Sequence, residues 1–206
     1  MASKRTLSSV FSTRKQAFFL AMGLSFLILI SFFLDEYVLV HTSLFHASWL
    51  IAFMGLISSL GSTMLIIIVM TLLLIRHPDK REYLPVLWAT ILTTFIIVHL
   101  LKFGIARSRP FDIIITTFGF ISHSFPSAHA AVAFSLLPLM DRIYPTQKWI
   151  WTLFAVLVAL SRIYIQVHYL SDIIAGAIIG YAIGSVVMHL EEQTGFVKKW
   201  HFLIWK

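Results

Sequence analysis

YLPVLWATILTTFIIVHLLKFGIARSRP, from Tyr83 to Pro110, begins as a membrane crossing and ends as a knot of cations. Tyr83 to Leu101 carries no Lys, Arg, Asp or Glu, and a helix of that length crosses most of a bilayer's hydrocarbon. Lys102, Arg107 and Arg109 then follow within a few positions, with Pro110 closing the stretch. Lipid disfavours such charges, so a cluster at a helix end needs a partner to hold.

The rest of the chain fits that reading. It has 206 residues, 59% hydrophobic and only 12% charged, with a mean hydropathy of +0.88. No soluble core needs so much apolar surface, and the class is an integral membrane protein. Further apolar runs suggest spans at about 17–34, 48–75, 126–140, 148–165 and 172–190, six in all with 83–101. The second is too long for one upright crossing, so its early part is expected to run along or dip into the interface. Asp35 to Ala47 reads as a loop, and the apolar segment Phe111–Ile121 as a surface element suited to a lid or lipid entrance. Ala17–Leu34 lacks a small-residue cleavage site and reads as a span. The basic, aromatic tail with Lys198, Lys199, Trp200, Trp205 and Lys206 suits an interfacial anchor. The expected architecture is all-α, one membrane-embedded domain over residues 1–206.

Charge placement orients it. With both termini inside, twelve of the sixteen Lys and Arg fall on inner segments. Lys102, Arg107, Arg109 and Arg162 fall outside, against the positive-inside bias. The formal charge of +7 therefore reflects inner loops and anionic headgroups, not nucleic acid. The absence of cysteine excludes disulfide and thiolate chemistry.

Three outward-facing segments carry candidate chemistry: Lys102–Pro110, Pro126–His129 (P-S-A-H) and Ser161–Asp172 (S-R-x5-H-x3-D). His168 and Asp172 are four apart, one face of a helix, so the carboxylate can fix one ring nitrogen and leave the other as nucleophile or base. His129, one turn into a span, suits acid–base work. Pro126 suits a first helical turn, which would leave the backbone N–H groups of Ser127 and Ala128 facing an anion. Arg109 precedes proline and is biased out of the helix, so its guanidinium can turn back. Lys102 and Arg109 have a blander reading as snorkelling side chains, and Arg107 is assigned to headgroup contact. His99 and His123 lie near enough to be secondary members. His129, His168 and Asp172 could in principle ligate zinc, but no metalloenzyme spacing is present and three cations repel a divalent metal.

In order and content, K-x6-R-P, P-S-A-H and S-R-x5-H-x3-D resemble the motifs of the type-2 phosphatidic acid phosphatase superfamily. The resemblance implies a metal-independent, cofactor-free lipid phosphatase in which His168 forms a phosphohistidine and Asp172 orients it. It further implies that His129 serves the leaving group and then water, while Lys102, Arg109, Arg162, Ser127 and the Ala128 backbone hold phosphate. Ala128 stands where the family has glycine. Expected partners are membrane lipids and a lipid phosphate substrate: a polyprenyl diphosphate such as undecaprenyl diphosphate, phosphatidylglycerophosphate or phosphatidate, or lipid A 1-phosphate. The expected setting is a bacterial inner membrane with the site on the extracytoplasmic side. Two other readings stay open: a phosphotransferase using the same intermediate, and a transporter of anionic headgroups.

Overall fold

A computed structural model describes residues 7–45, 47–112, 115–117 and 120–195. These form α1 (Leu7–Leu44), α2 (Ser48–Leu60), α3 (Thr63–Arg76), α4 (Leu84–Ile105), α5 (Ala128–Ser135), α6 (Leu137–Ile143), α7 (Lys148–Tyr164) and α8 (Leu170–Thr194). A two-stranded antiparallel hairpin, β1 (Thr116–Thr117) with β2 (Phe120–Ile121), interrupts the connection from α4 to α5. The architecture is otherwise all-helical. Lys4, Arg5, His46 and the tail from Lys198 to Lys206 lie outside the described residues, as does part of the proposed 111–121 lid.

Among the described residues three segments are long and apolar enough to cross a membrane: Phe18–Leu44, Pro78–Ile105 and Leu170–Thr194. The bent pair α2 and α3 makes a fourth if counted as one span. The chain is a membrane protein. Its outward faces agree, with Phe18, Phe26, Phe33, Trp49, Leu72, Leu92 and Leu100 all exposed on the bare protein.

Lipid tails are as apolar as leucine, so such helices associate through close packing and not through hydrophobic burial. The interface of α5 with α8 shows how. Gly176, Gly180 and Gly184 form a stripe on α8 at helical spacing. A Cβ on each would sit 2.6, 2.0 and 1.9 Å from the carbonyl oxygens of Ser127, Ala131 and Ser135 on or capping α5. The two backbones are therefore in direct contact, and only glycine fits between them. Around this seam a core of Met70 and Leu74 (α3), Leu87 and Ile91 (α4), Val132 (α5), Leu139 and Met140 (α6) and Met188 (α8) closes the bundle.

Two expectations about the elements need correction. The segment expected to be a loop from Asp35 continues α1 as helix to Leu44, where the Asp35 side chain is 4% exposed and paired with Arg107. The 126–140 span is broken at Leu136, where Pro138 removes an N–H and its ring crowds the preceding turn. The long second run, expected not to form one upright crossing, is broken as well. α2 stops at Gly61, α3 restarts after Ser62, and their axes differ by 62°. Gly61 lies so close to α7 that a Cβ would come 2.4 Å from the Val158 side chain. Ser62 caps α3 by accepting from the Leu65 amide at 3.4 Å. The break brings Ser62, Thr63 and Met64 to the wall of the cavity described next.

Candidate active site

The C-terminal end of α4, the N-terminus of α5 and the junction of α7 with α8 meet around a cavity of about 230 Å³. Its wall includes Lys102, Arg109, Ala128, His129, Arg162 and His168, so six of the eight singled-out residues share one space. Asp172 stands behind His168, fully buried. Ser127 is also fully buried, and its role differs from the expected one. It is the N-cap of α5, one residue outside the helix, with Pro126 before it and not in the first turn. Its Oγ accepts from the Ala130 amide at 3.5 Å, and its own N–H donates to the Asp172 carbonyl at 3.0 Å. The Ser127 amide is thus committed to joining α5 to α8. The first-turn amides of Ala128 and His129, which no helical carbonyl can reach, are the ones placed for an anion.

The imidazole–carboxylate pair has a defined polarity. His168 Nδ1 lies 3.1 Å from Asp172 Oδ2, and His168 Nε2 lies 3.1 Å from Arg109 Nη1. A guanidinium can only donate, so Nε2 must be the acceptor and Nδ1 must carry the proton toward the carboxylate. The imidazole is neutral, with its free lone pair pointing at the cations. Burial, with the charges of Arg109, Arg162 and Lys102 added to it, pushes His168 well below the ordinary histidine range. The residue thus keeps its lone pair at neutral pH.

Each cation is fixed by oxygens that leave some donors unspent. Lys102, 4% exposed on α4, donates its Nζ to the carbonyls of His123 at 2.5 Å and Ser124 at 3.2 Å. Arg109 turns back as its proline neighbour suggested. Its Nη1 donates to Val167 O at 2.7 Å and its Nε to Ser122 O at 2.9 Å. Burial lowers the Arg109 guanidinium from its usual value and the charge of Asp172 works the other way; arginine remains a cation throughout. Arg162 comes from α7, and its Nη1 donates to Ser58 Oγ on α2. Its buried Nε has no partner among the described residues and is available to an oxyanion.

Arg107 does not reach for headgroups. Its Nη1 donates to Asp172 Oδ1 at 2.9 Å and to Ser171 Oγ at 2.7 Å, and its Nη2 pairs with Asp35 Oδ2 at 2.8 Å. Sequence reasoning missed this group and Asp35, Ser58, Ser62 and Thr63 as well. Asp35 and Arg107 did carry a signal, being charges set in or beside apolar stretches. The hydroxyls carried none, since serine and threonine are common in membrane helices for packing alone. His99 lines the cavity and His123 lends its carbonyl to Lys102. Among the described residues no three His, Cys, Asp or Glu side chains gather as a metal-binding group.

The PAP2 superfamily pattern matches residues 82–195, more than half of the chain. The chain belongs to that superfamily. This PAP2 protein is 32% identical over 121 residues to an undecaprenyl-diphosphatase of Sulfolobus acidocaldarius, covering 53% of the chain and 57% of the relative. It is 31% identical over 149 residues to the lipid A 4'-phosphatase of Porphyromonas gingivalis, covering 66% and 63%. The chain thus spans about three fifths of the length of these curated relatives. Two crystal structures share its fold. A transmembrane PAP2-type phosphatidylglycerolphosphate phosphatase from Bacillus subtilis superposes with TM-score 0.67 at 22% identity, over 84% of this chain and 96% of the other. Aquifex aeolicus LpxE gives 0.66 at 24% identity, over 76% and 95%.

Proposed function

We propose that this PAP2 protein is a metal-independent lipid phosphatase that cleaves a terminal phosphate through a phosphohistidine at His168. One observation carries the reading: a neutral imidazole, backed by a carboxylate, opens into a cation-lined cavity that shares its wall with an apolar groove. The groove, of about 430 Å³, runs between α3 and α4 and is lined by Thr63, Met64, Ile67, Trp88, Ile91, Leu92 and Phe95. Thr63, Met64 and Phe95 belong to both spaces. A substrate with a phosphate head and a hydrocarbon tail fits that junction, and a soluble sugar phosphate does not use the groove.

The chemistry follows from the positions. Lys102, Arg109, Arg162 and the α5 N-terminus hold the phosphoryl oxygens, which is most of what phosphoryl transfer asks of a protein. Arg109 Nη1 leaves His168 Nε2 for a phosphate oxygen, freeing the lone pair. Nε2 attacks phosphorus, the bond to the lipid oxygen breaks, and His129 protonates that oxygen where the leaving group needs it. His129 then takes a proton from water, which attacks the phosphohistidine and releases inorganic phosphate and the free imidazole. Asp172 keeps Nδ1 protonated and in line throughout.

The relatives' names point to envelope lipids, and among these a polyprenyl diphosphate is the proposed substrate. Counting α1, α2 with α3, α4, α5 with α6, α7 and α8 as six crossings leaves both termini on one side, and the excess of Lys and Arg on the segments of that side makes it the inner one. The site then faces the extracytoplasmic side of the inner membrane.

The test is phosphate release by the purified protein in detergent with EDTA present. Undecaprenyl diphosphate, phosphatidate, phosphatidylglycerophosphate and lipid A would be compared. Release from at least one is expected; release from none would favour headgroup transport. Filling the groove probes the tail. Leu92→Trp should raise KM for a long-chain substrate about tenfold, the equivalent of ~1.4 kcal/mol, while barely changing hydrolysis of a short soluble phosphate ester. Equal effects on both would place the tail elsewhere.

The support behind Arg162 is separately testable. Ser58→Ala removes a buried acceptor and leaves a guanidinium donor unmatched, at a cost of about 1–3 kcal/mol. A fall in kcat/KM of roughly ten- to hundredfold is expected, with no loss of folded protein on size exclusion. Unchanged kinetics would show that Arg162 does not need α2.

A further inference from the structure

The pair His168–Asp172 is the front of a longer charged chain. Behind Asp172 stands Arg107, and behind Arg107 stands Asp35 from α1, 2.9 and 2.8 Å apart in turn. Asp35 does more than neutralise. Its Oδ1 accepts from the Ser171 amide at 2.8 Å and its Oδ2 from Ser171 Oγ at 2.6 Å, so α1 supplies a carboxylate to the first turn of α8. That turn is the one carrying Asp172, whose Oδ2 also accepts from the Tyr169 amide at 3.0 Å. Arg107 is braced on both faces, with its guanidinium 4.1 Å from the Tyr169 ring centroid and 5.0 Å from that of Phe32. Phe32 in turn stacks on Phe125, three residues before Ala128, at 5.7 Å. Arg107 is not among the residues lining the cavity, so it has no direct path to substrate.

We infer that Arg107, held by Asp35, is a positioning residue that sets the basicity of His168 through Asp172, making α1 part of the catalytic unit. The inference rests on His168 being the nucleophile. The electrostatic logic has a fixed sign. His168 is faced by Lys102 from α4, Arg109 from the loop, His129 from α5, Arg162 from α7 and Asp172 from α8. Asp172 is the anion among them, and it favours the imidazolium together with the Ser124 backbone. A cation on its other oxygen weakens that pull and keeps Nε2 unprotonated to lower pH. Asp35 shares the arginine's charge and so moderates the effect. Removing Arg107 must therefore move His168 upward in pH, and removing the Asp35 charge must move it downward.

The experiment uses the full chain in detergent and two readouts. The first is the acid limb of kcat/KM for the lipid that the wild type hydrolyses. The second is the titration of His168 by NMR of histidine-labelled protein, with His168→Gln assigning the signal, and this readout needs no turnover. Arg107→Gln should raise both midpoints by about one pH unit, the usual scale for losing a charge at this distance, and lower kcat far more than it changes KM. Arg107→Lys, which restores a cation, should recover most of the shift and guards against a folding defect in the glutamine variant. Asp35→Asn should move both midpoints the other way by a smaller amount. Midpoints that stay put in Arg107→Gln, or that move in the same direction in Asp35→Asn, would overturn the inference and leave the chain a purely structural brace. Absence of turnover in the wild type would instead sink the proposed activity, while the titration would still decide whether Arg107 acts on the imidazole.

Discussion

His168→Ala should lower phosphate release by roughly four orders of magnitude, the scale seen when a covalent nucleophile is deleted. Substrate affinity should change little, because the proposed mechanism holds the phosphate with Lys102, Arg109 and Arg162 and not with the imidazole. Arg109 would even gain, since its Nη1 no longer spends a bond on Nε2 at 3.1 Å. The direct measurement is an acid-labile phosphoprotein after rapid quench with labelled substrate, expected for the wild type and lost in the variant. Turnover retained within about tenfold would refute the nucleophile. His129→Ala separates the second imidazole's part. A monoester leaves as a basic alkoxide needing a proton, whereas a diphosphate leaves as a weakly basic phosphate, so the loss should be larger for the monoester. Equal losses would count against a general acid at 129.

The second large effect is on the scaffold. Gly180→Leu should destabilise the protein by about 3 kcal/mol or more, lowering its melting temperature in detergent by roughly 6–12 °C. A Cβ there lies 2.0 Å from the Ala131 carbonyl oxygen, a backbone atom that no rotamer change can move. α5 would have to lift off α8, and Ser127 would lose its hydrogen bond to the Asp172 carbonyl. Activity should therefore fall with stability, and it should not recover on cooling. Gly55→Ala on α2 is the control: nothing lies within 4 Å of its Cβ, and the exchange should be neutral or mildly stabilising. A Gly180→Leu protein that melted like the wild type would mean that the two helices are not held backbone to backbone.

Much of the site was legible because its residues are expensive. Lys102, Arg109, Arg162, His168 and Asp172 stand out in a chain that otherwise avoids charge, and positions four apart or before a proline have geometric consequences. The expected order of crossings puts their segments on one side of the membrane, and the structure brings Lys102, Arg109, Arg162 and His168 to one cavity with Asp172 behind His168. The shortfalls have physical causes. Asp35 and Glu36 ended the apolar run and so suggested a loop; a distant arginine neutralises Asp35 and lets α1 continue, and no local pattern reports such a partner. Ser127 was placed one position too far into α5, which reversed the use of its amide. Pro126 has the fixed φ of a first helical turn, yet it precedes the cap. The bend at Gly61 and Ser62 depends on how closely α7 approaches, a distance between segments far apart in sequence. Gly176, Gly180 and Gly184 were readable as a repeated small residue, and that pattern passed unused.

Asp35 and Ser58 reach the reaction centre from before residue 82, where the superfamily match begins. A chimera that transplanted only the matched portion onto a relative would carry the imidazole, its carboxylate and the three cations of the cavity. It would leave behind the two groups that anchor Arg107 and Arg162. Moving this chain's site onto a relative therefore means moving its leading helices together with the motif-bearing half, as a single inherited block.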